Sequence, residues 1–422
     1  YFVNGDGRHN QPREKHSIFG TANFTTFVQD DNAKVSIGVV GRFDKEDRER
    51  SYIDLQKFKY EFYFDDLTLK LGNEIVFWGV NESFHVVDII NQSILSEDLS
   101  GTKKLGQPMI AASLYRDYGD IDIYILPYFR ERVFPGVDGR PRFSLEIDKN
   151  SITYESSKAE KNIDLAIRYS TIIDDFDLGI THFHGHARSP KLTINQSTFK
   201  FDSYYPLLSQ TGIDIQATKD AWLYKLEAVS AKFISERHLS MAGGIEYTFY
   251  GLNNSSQDLG IIMEYLFDDR NNHPFNNEGS FGLRWTKNDI NSSTLLAGSV
   301  IDLNGSSNQF FIEYSKEYNY ANIHVQSFMY NSLGNLESWV NKRYYCGESQ
   351  NTNAYSAIKD GKWHHWAYAQ HPSAGRNIYE HLTESASNNT SRDLTDGSAV
   401  SGSIWSRSSG SACVARHFSI LC

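Results

Sequence analysis

Leu259-Gly260-Ile261-Ile262-Met263-Glu264-Tyr265-Leu266-Phe267-Asp268 places aliphatic or aromatic side chains at Leu259, Ile261, Met263, Tyr265 and Phe267. Gly260, Glu264 and Asp268 fall between them. Successive side chains of a strand point to opposite faces, so this stretch has one greasy face and one wet face. Ile121, Ile123, Ile125 and Phe129 alternate in the same way with Asp122, Tyr124, Tyr128 and Arg130. So do Ile163, Leu165, Ile167 and Tyr169 with Asp164, Ala166, Arg168 and Ser170. The beat recurs about sixteen times before residue 333, in runs of about ten residues, which is the cumulative signature of a transmembrane β-barrel. The fold class expected is therefore all-β, an antiparallel transmembrane barrel with its greasy face to lipid and its wet face inside.

Composition agrees. Of the 422 residues 14% are aromatic, with 25 Tyr and 26 Phe, which suits strands and interfacial girdles. Mean hydropathy is −0.48, a value compatible with a barrel because only half of each strand must be apolar. No apolar run is long enough for a transmembrane helix. A net charge of −11 argues against a nucleic-acid partner. Cys346, Cys413 and Cys422 all lie late in the chain, so the earlier part has neither a disulfide framework nor a thiolate metal site.

Strands are predicted at 17–30, 34–46, 53–65, 67–79, 107–117, 120–133, 161–174, 175–187, 208–218, 221–234, 238–250, 258–269, 278–288, 293–303, 308–317 and 319–330. Tight connections at Asp30-Asp31-Asn32, Asp65-Asp66, Tyr118-Gly119-Asp120, Asp174-Asp175 and Lys219-Asp220 alternate with long ones at 80–106, 134–160 and 188–207. Outer-membrane barrels put short turns on the periplasmic side and long loops outside, so the strand at 17–30 runs inward. Residues 1–16 then read as an external loop, and a strand is expected upstream of Tyr1. The chain divides into a barrel at 1–333 and a Ser/Asn-rich tail at 334–422. For the tail three readings stand: an out-of-frame segment, a disordered or small appended domain, or a degenerate last pair of strands.

The densest text is Val76-Phe77-Trp78-Gly79-Val80-Asn81-Glu82-Ser83-Phe84-His85-Val86-Val87-Asp88-Ile89-Ile90-Asn91-Gln92. It continues through Asp98 to Lys104-Leu105-Gly106-Gln107-Pro108-Met109, and Tyr128-Phe129-Arg130-Glu131-Arg132-Val133-Phe134-Pro135-Gly136 follows. Further echoes are His184-Gly185, Gln210-Thr211-Gly212-Ile213-Asp214 and Gly244-Ile245-Glu246-Tyr247-Thr248-Phe249-Tyr250. Over roughly residues 1–333 this text resembles Gram-negative outer-membrane barrels related to alginate-export porins. In those families a strand ends in Trp-Gly and a long loop with a "VD-hydrophobic-IN" segment follows. The resemblance implies about eighteen strands in an intact relative, against about sixteen here, and a bacterial outer-membrane location.

Segment 80–106 is too long for a turn and too apolar for a free loop. Phe84, Val86, Val87, Ile89, Ile90, Ile94 and Leu95 need burial. Folding inward makes it a pore-narrowing loop lined by Glu82, His85 and Asp88; the competing reading packs it on the barrel rim. By parity Arg42, Lys59, Glu61, Lys70, Glu74, Arg130, Arg132, Arg168, Asp214, Lys225, Glu227, Glu246, Glu264, Arg284 and Glu313 face inward, because a charge facing lipid costs about 2–4 kcal/mol at mid-bilayer. The candidate lumen and constriction residues are Glu82, His85, Asp88, Arg130, Arg132, Arg168, Glu246, Glu264 and Arg284. They line either a charged channel or a web of internal ion pairs. Arg130 and Arg132, on one face of one predicted strand, are the candidates for attracting an anionic solute. His182, His184 and His186 share a face, but their outer spacing of about 13 Å is too great for one metal ion. They are expected at the membrane interface.

No Gly-x-Ser-x-Gly elbow, His-Glu-x-x-His or Gly-rich phosphate loop occurs, so no enzyme, cofactor or metal is expected. The expected partners are outer-membrane lipid and lipopolysaccharide, the barrel-assembly machinery and a small polar solute. Function is expected to be passive passage or export of polar solutes. The alternative is a closed barrel serving as surface receptor or structural partner. A soluble all-β sandwich is disfavoured, because every strand repeats an apolar face with no second sheet to cover it.

Overall fold

The structure is a computed structural model that describes residues 17–332, apart from 29–31, 98–100, 102, 140–144, 235, 271–276, 292, 305–306 and 319–320, together with 413–421. The expected external loop at 1–16, the Asp30-Asp31 turn and most of the predicted tail lie outside the described residues.

In chain order the strands are β1 (Ser17–Val28), β2 (Ala33–Asp44), β3 (Tyr52–Tyr63), β4 (Leu67–Glu74), β5 (Gln107–Leu114), β6 (Asp120–Leu126) and β7 (Ile147–Tyr154). Next come β8 (Asp164–Ile173), β9 (Phe176–His186), β10 (Lys191–Asn195), β11 (Lys200–Tyr205), β12 (Leu207–Lys219), β13 (Trp222–Phe233) and β14 (Glu236–Phe249). Last are β15 (Asp258–Asp268), β16 (Asn277–Thr286), β17 (Thr294–Asp302), β18 (Ser307–Tyr318), β19 (Ala321–Ser332) and β20 (Cys413–Leu421).

Seventeen of them form one sheet in which each strand pairs with the next. All of its ladders are antiparallel, as in the pairing of β12 with β13 and of β13 with β14. The strands β7, β10 and β11, carried by the two long connections, form a separate three-stranded sheet in which β11 and β7 run parallel. Every strand of the large sheet up to Ser332 lies on a stretch that the two-residue beat marks. From the late part of the chain, β20 pairs with β19 from Asn322↔Leu421 to Tyr330↔Cys413. Among the described residues no ladder joins β1 to β20.

Two predicted strands are shorter than expected. The one expected at 67–79 ends at Glu74, and the one at 120–133 ends at Leu126. Pro127 follows directly, and proline has no N–H to give a ladder. The two-residue connections at 174–175 and 220–221 carry Asp174 and Asp220 at φ of 50° and 53°. Aspartate tolerates this left-handed region, which lets a strand reverse within two residues.

Along β15, Ile262, Glu264, Leu266 and Asp268 are buried, while Met263, Tyr265 and Phe267 are exposed. The exposed set continues on neighbouring strands through Ile123, Ile125, Leu165, Ile167, Ile180, Ile213, Ile245 and Phe281. The register places Ile180, Ile213, Ala228 and Met241 in one transverse row across β9, β12, β13 and β14. So much exposed apolar area on one continuous face has only one economical solvent, the hydrocarbon of a bilayer. Replacing Ile213 by Arg is expected to destabilise the folded protein by about 2–4 kcal/mol in a lipid or detergent host. Urea unfolding of the reconstituted chain measures it. A loss well under 1 kcal/mol at that site would mean that Ile213 does not face hydrocarbon.

An inserted segment and an ion-paired interior

The connection between β4 and β5 lies, in residues 75–97 and 103–106, against the inner face of the sheet. Its base is closed by one side chain. Asn91 Oδ1 accepts from Val76 N at 2.8 Å, and Asn91 Nδ2 donates to the carbonyls of Glu74 and Leu105, both at 2.9 Å. Asp88 accepts from Trp78 N at 3.4 Å and pairs with Lys104 at 3.3 Å. These bonds tie the two legs of the loop together.

The loop then reaches strands far along the sheet. Glu227 Oε1 accepts from the backbone N–H groups of Val80 and Asn81 at 2.8 and 3.0 Å, and Oε2 accepts from Val87 N at 3.3 Å. Glu264 accepts from Glu82 N and Ser83 N at 2.5 and 2.7 Å. Asn81 Nδ2 donates to Ala242 O at 3.1 Å, and the hydroxyls of Ser83 and Ser280 lie 2.8 Å apart. Glu227 and Glu264 sit midway along β13 and β15, so the loop is held at mid-wall and not at the rim. A sheet whose β4, β5, β13, β14, β15 and β16 all touch one short segment has curled around it.

Apolar packing fixes the same placement. Trp78, Val87 and Ile90 are buried among Met109, Ala111, Tyr124, Leu126, Phe183, Leu208 and Val229. Phe84 packs on Ala242, Leu266 and Val300. Gly79 lies at φ +144°, and a Cβ there would meet Glu227 Oε1 and His85 Nδ1 at 3.1 Å each. The Trp-Gly pair is thus a large anchor beside a turn that only glycine makes without strain.

Four of the candidate residues converge. Arg284 pairs with Glu246 at 2.8 Å and with Glu82, and Lys225 lies 3.6 Å from Glu246 and 3.9 Å from Glu264. His85 stands beside this network, edge-on to Phe77 at 4.9 Å and 4.0 Å from Glu227. Arg168 forms a two-pronged pair with Asp214 at 2.8 and 2.6 Å and lies 5.8 Å from the Trp78 ring. Arg130 and Arg132 are not on one strand face, because β6 has already ended at Leu126. Arg130 binds Asp54 at 2.7 Å and the Gly106 carbonyl at 2.7 Å, whereas Arg132 Nε donates to Gln92 at 3.2 Å. Their charges are therefore tied to different partners.

His182 and His184 are exposed on the outer face, as expected, but His186 is fully buried. Its N–H donates to Asp164 at 3.1 Å, and its ring packs against Phe129 at 4.7 Å and Tyr154 at 5.4 Å. A Cβ on Gly185 would lie 2.2 Å from Asp164 Cγ, so the glycine leaves room for this contact. Residues not singled out by their sequence pattern are Asn91, Asp164, Arg188 and, among the inward charges, Glu227. Each acts on backbone atoms distant in sequence, which a periodicity cannot reveal.

Above the wall, β7 and β11 border a cavity of 890 Å³ lined by Tyr128, Phe129, Arg130, Arg132, Tyr154 and Tyr205, among others. Burial pushes the Tyr205 hydroxyl up to about 12, and its oxygen accepts from Arg132 N at 3.0 Å. Burial, reinforced by a hydrogen bond to Glu131, raises Tyr154 as well.

An antiparallel wall, apolar outside, ion-paired inside and occupied by one of its own loops, defines the class: a transmembrane β-barrel protein. No protein-family model matches the chain, and no curated protein matches it. Solved structures similar to it are outer-membrane barrels. OpdQ of Pseudomonas aeruginosa is 11% identical, with a TM-score of 0.43 over 75% of this chain and 87% of that one. OccAB4 of Acinetobacter baumannii is 10% identical, with a TM-score of 0.38 over 75% and 86%. Wzi of Escherichia coli, described as a carbohydrate-binding β-barrel involved in group 1 capsule assembly, is 8% identical, with a TM-score of 0.46 over 76% and 79%. At these scores the class rests on this chain's own ladders and surfaces.

Proposed function

We propose that this chain is a porin-like channel of a Gram-negative outer membrane, akin to the alginate-export porins, that passes polar solutes through a charged lumen narrowed by residues 80–106. The observation that carries the reading is the mid-wall anchorage of that segment by Glu227 and Glu264. A rim-packed loop would not need buried carboxylates halfway down the wall. Paired charges of both signs, such as Arg284 with Glu246 and Arg168 with Asp214, give the lumen a transverse field and no net ladder of one sign. This favours small polar solutes over a strongly anionic one.

Planar-bilayer recording of the intact protein, beside a variant lacking residues 84–95, tests the proposal. The intact protein is expected to conduct and the deletion to conduct more. A folded, inserted protein that never conducts sinks the channel reading. The second reading, a closed barrel used as a surface receptor, is favoured by the 890 Å³ cavity under the β7–β10–β11 sheet. It predicts that the deletion lowers stability and leaves conductance at zero.

A further inference from the structure

The outer face of β9, β12, β13 and β14 is graded from one end to the other. At the short-turn end Trp222, Tyr224, Tyr247 and Phe249 form an aromatic cluster, with ring centroids 4.6 Å apart for Trp222–Tyr247. Mid-strand rows are aliphatic: Leu178, Ile215 and Leu226, then Ile180, Ile213, Ala228 and Met241. At the long-loop end the rows change character. His182 and Thr211 are joined across the strands at 2.8 Å, with Ser230 and then the exposed Leu239 next. The last row is His184, Ser209, Lys232 and Arg237, each in register with its neighbour.

Lys232 and Arg237 are exposed and directly opposite one another. Like charges so placed repel. Inside the barrel cations such as Arg168, Arg188 and Arg284 are matched by carboxylates. No carboxylate among the described residues forms an ion pair with Lys232 or Arg237, and the hydrogen bond shown is from Arg237 Nη1 to Ser230 Oγ at 3.4 Å. Nearby, Glu236 falls on the opposite register face, and Asp269 accepts from Leu239 N at 2.9 Å.

Their height is also informative. From Trp222 to Lys232 the strand advances about 34 Å, at about 3.4 Å per residue. At a tilt of about 40° this is about 26 Å along the membrane normal, the height of the outward apolar band of such barrels. If the aromatic cluster marks one interface, Lys232 and Arg237 lie at the other. The long connections 75–106, 127–163 and 187–206 leave from that end and place it at the external side, while β13 and β14 themselves are joined there by residues 234 and 235 alone.

We propose that Lys232 and Arg237, flanked by His184 and Ser209, bind the phosphate of an anionic glycolipid headgroup in the outer leaflet. Two adjacent cations on a rigid sheet offer charge-assisted hydrogen bonds to phosphate oxygens, and the aliphatic rows below take the acyl chains. The proposal rests on the membrane-spanning reading and not on conduction.

The full chain in phosphatidylcholine nanodiscs, doped with phosphorylated lipid A or with the same lipid dephosphorylated, provides the test. Lipid retained on release is counted by native mass spectrometry. The wild type is expected to keep the phosphorylated form in preference. K232Q/R237Q is expected to lower that preference about tenfold, and K232Q alone by less. K158Q/K161Q, which removes two exposed lysines of a loop, is expected to leave it unchanged. The proposal fails if the double variant retains the lipid as wild type does, if phosphate removal has no effect, or if the loop variant loses as much. Displacement by inorganic phosphate alone overturns the lipid assignment in favour of a soluble anion. A chain that does not insert overturns the membrane-spanning reading, whereas an inserted chain without phosphate preference overturns this proposal only.

Discussion

Glu227→Ala is expected to raise single-channel conductance and make openings noisier, because it unhooks residues 80–87 from the wall. The carboxylate accepts three backbone N–H groups, from Val80, Asn81 and Val87, and is itself fully buried. A stranded buried donor costs about 1–3 kcal/mol, and bonds to a charged acceptor lie at the upper end of the usual range. Lumen water recovers part of this, so a net weakening of about 3 kcal/mol is a reasonable magnitude for three donors. Glu227→Gln keeps one acceptor oxygen and turns an N–H towards backbone donors, so it should fall between wild type and alanine. Glu264→Ala, which strands the two N–H groups of Glu82 and Ser83, should act in the same direction with a smaller effect. The loop's apolar anchors remain in each variant, so the wall should still assemble. Cysteine labelling at Val86 reports the same event without current. Unchanged conductance together with unchanged labelling, in a correctly folded Glu227→Ala protein, would refute the latch.

The wall was legible because a strand's side-chain period is two, and a bilayer outside leaves no ambiguity about which face is apolar. Met263, Tyr265 and Phe267 are exposed, and Glu264 and Asp268 are buried, as their alternation requires. Periodicity fails where the backbone stops being a strand. Arg130 and Arg132 keep the alternation in sequence, but Pro127 ends the ladder and sends them to Asp54 and Gln92. His186 is still in β9, paired with Leu207, yet it is buried where His182 and His184 are exposed, because Asp164 accepts from its N–H and Phe129 and Tyr154 pack on its ring. The burial of Val87 and Ile90 was readable from their hydrophobicity, but not which wall would receive them. That choice is made by Glu227 and Glu264, which read as ordinary inward charges until the loop's N–H groups are placed against them. In sequence β7, β10 and β11 read only as parts of two long connections, since a parallel pairing of distant short segments leaves no local pattern.

Arg188→Ala is expected to destabilise the folded protein by about 3–5 kcal/mol, the range for leaving one member of a buried ion pair alone. Arg188 lies just beyond β9 and does several things at once. Its Nε donates to the carbonyls of Ile89 and Ile90 at 3.0 Å each, holding the inserted loop beside its Asn91 base. Its Nη1 donates to Asp164 at 2.8 Å and to the His186 carbonyl at 3.0 Å. Its guanidinium lies over the rings of Phe129 and Phe183, at 5.3 and 4.9 Å. Burial pulls its pKa down, and Asp164 opposes that pull. Lysine cannot reproduce this set, because an ammonium group lacks the planar fork that serves several acceptors and stacks between two rings. Arg188→Lys is therefore expected to lose most of what alanine loses. Removing the partner charge as well, in Arg188→Met with Asp164→Asn, should recover a substantial part. Urea midpoints of the refolded protein, read by tryptophan fluorescence, give these values. A shift no larger than that of an exposed arginine such as Arg237 would refute the buried-pair account. The cycle that combines Arg188→Ala with Glu227→Ala carries the argument furthest. Both residues hold one inserted segment, Arg188 at Ile89–Ile90 and Glu227 at Val80–Val87. If the segment releases as a unit, the second release costs less than the first, and the two effects sum to less than their parts. Strict additivity would mean that the two anchors hold independent pieces, and that opening the lumen requires breaking only one.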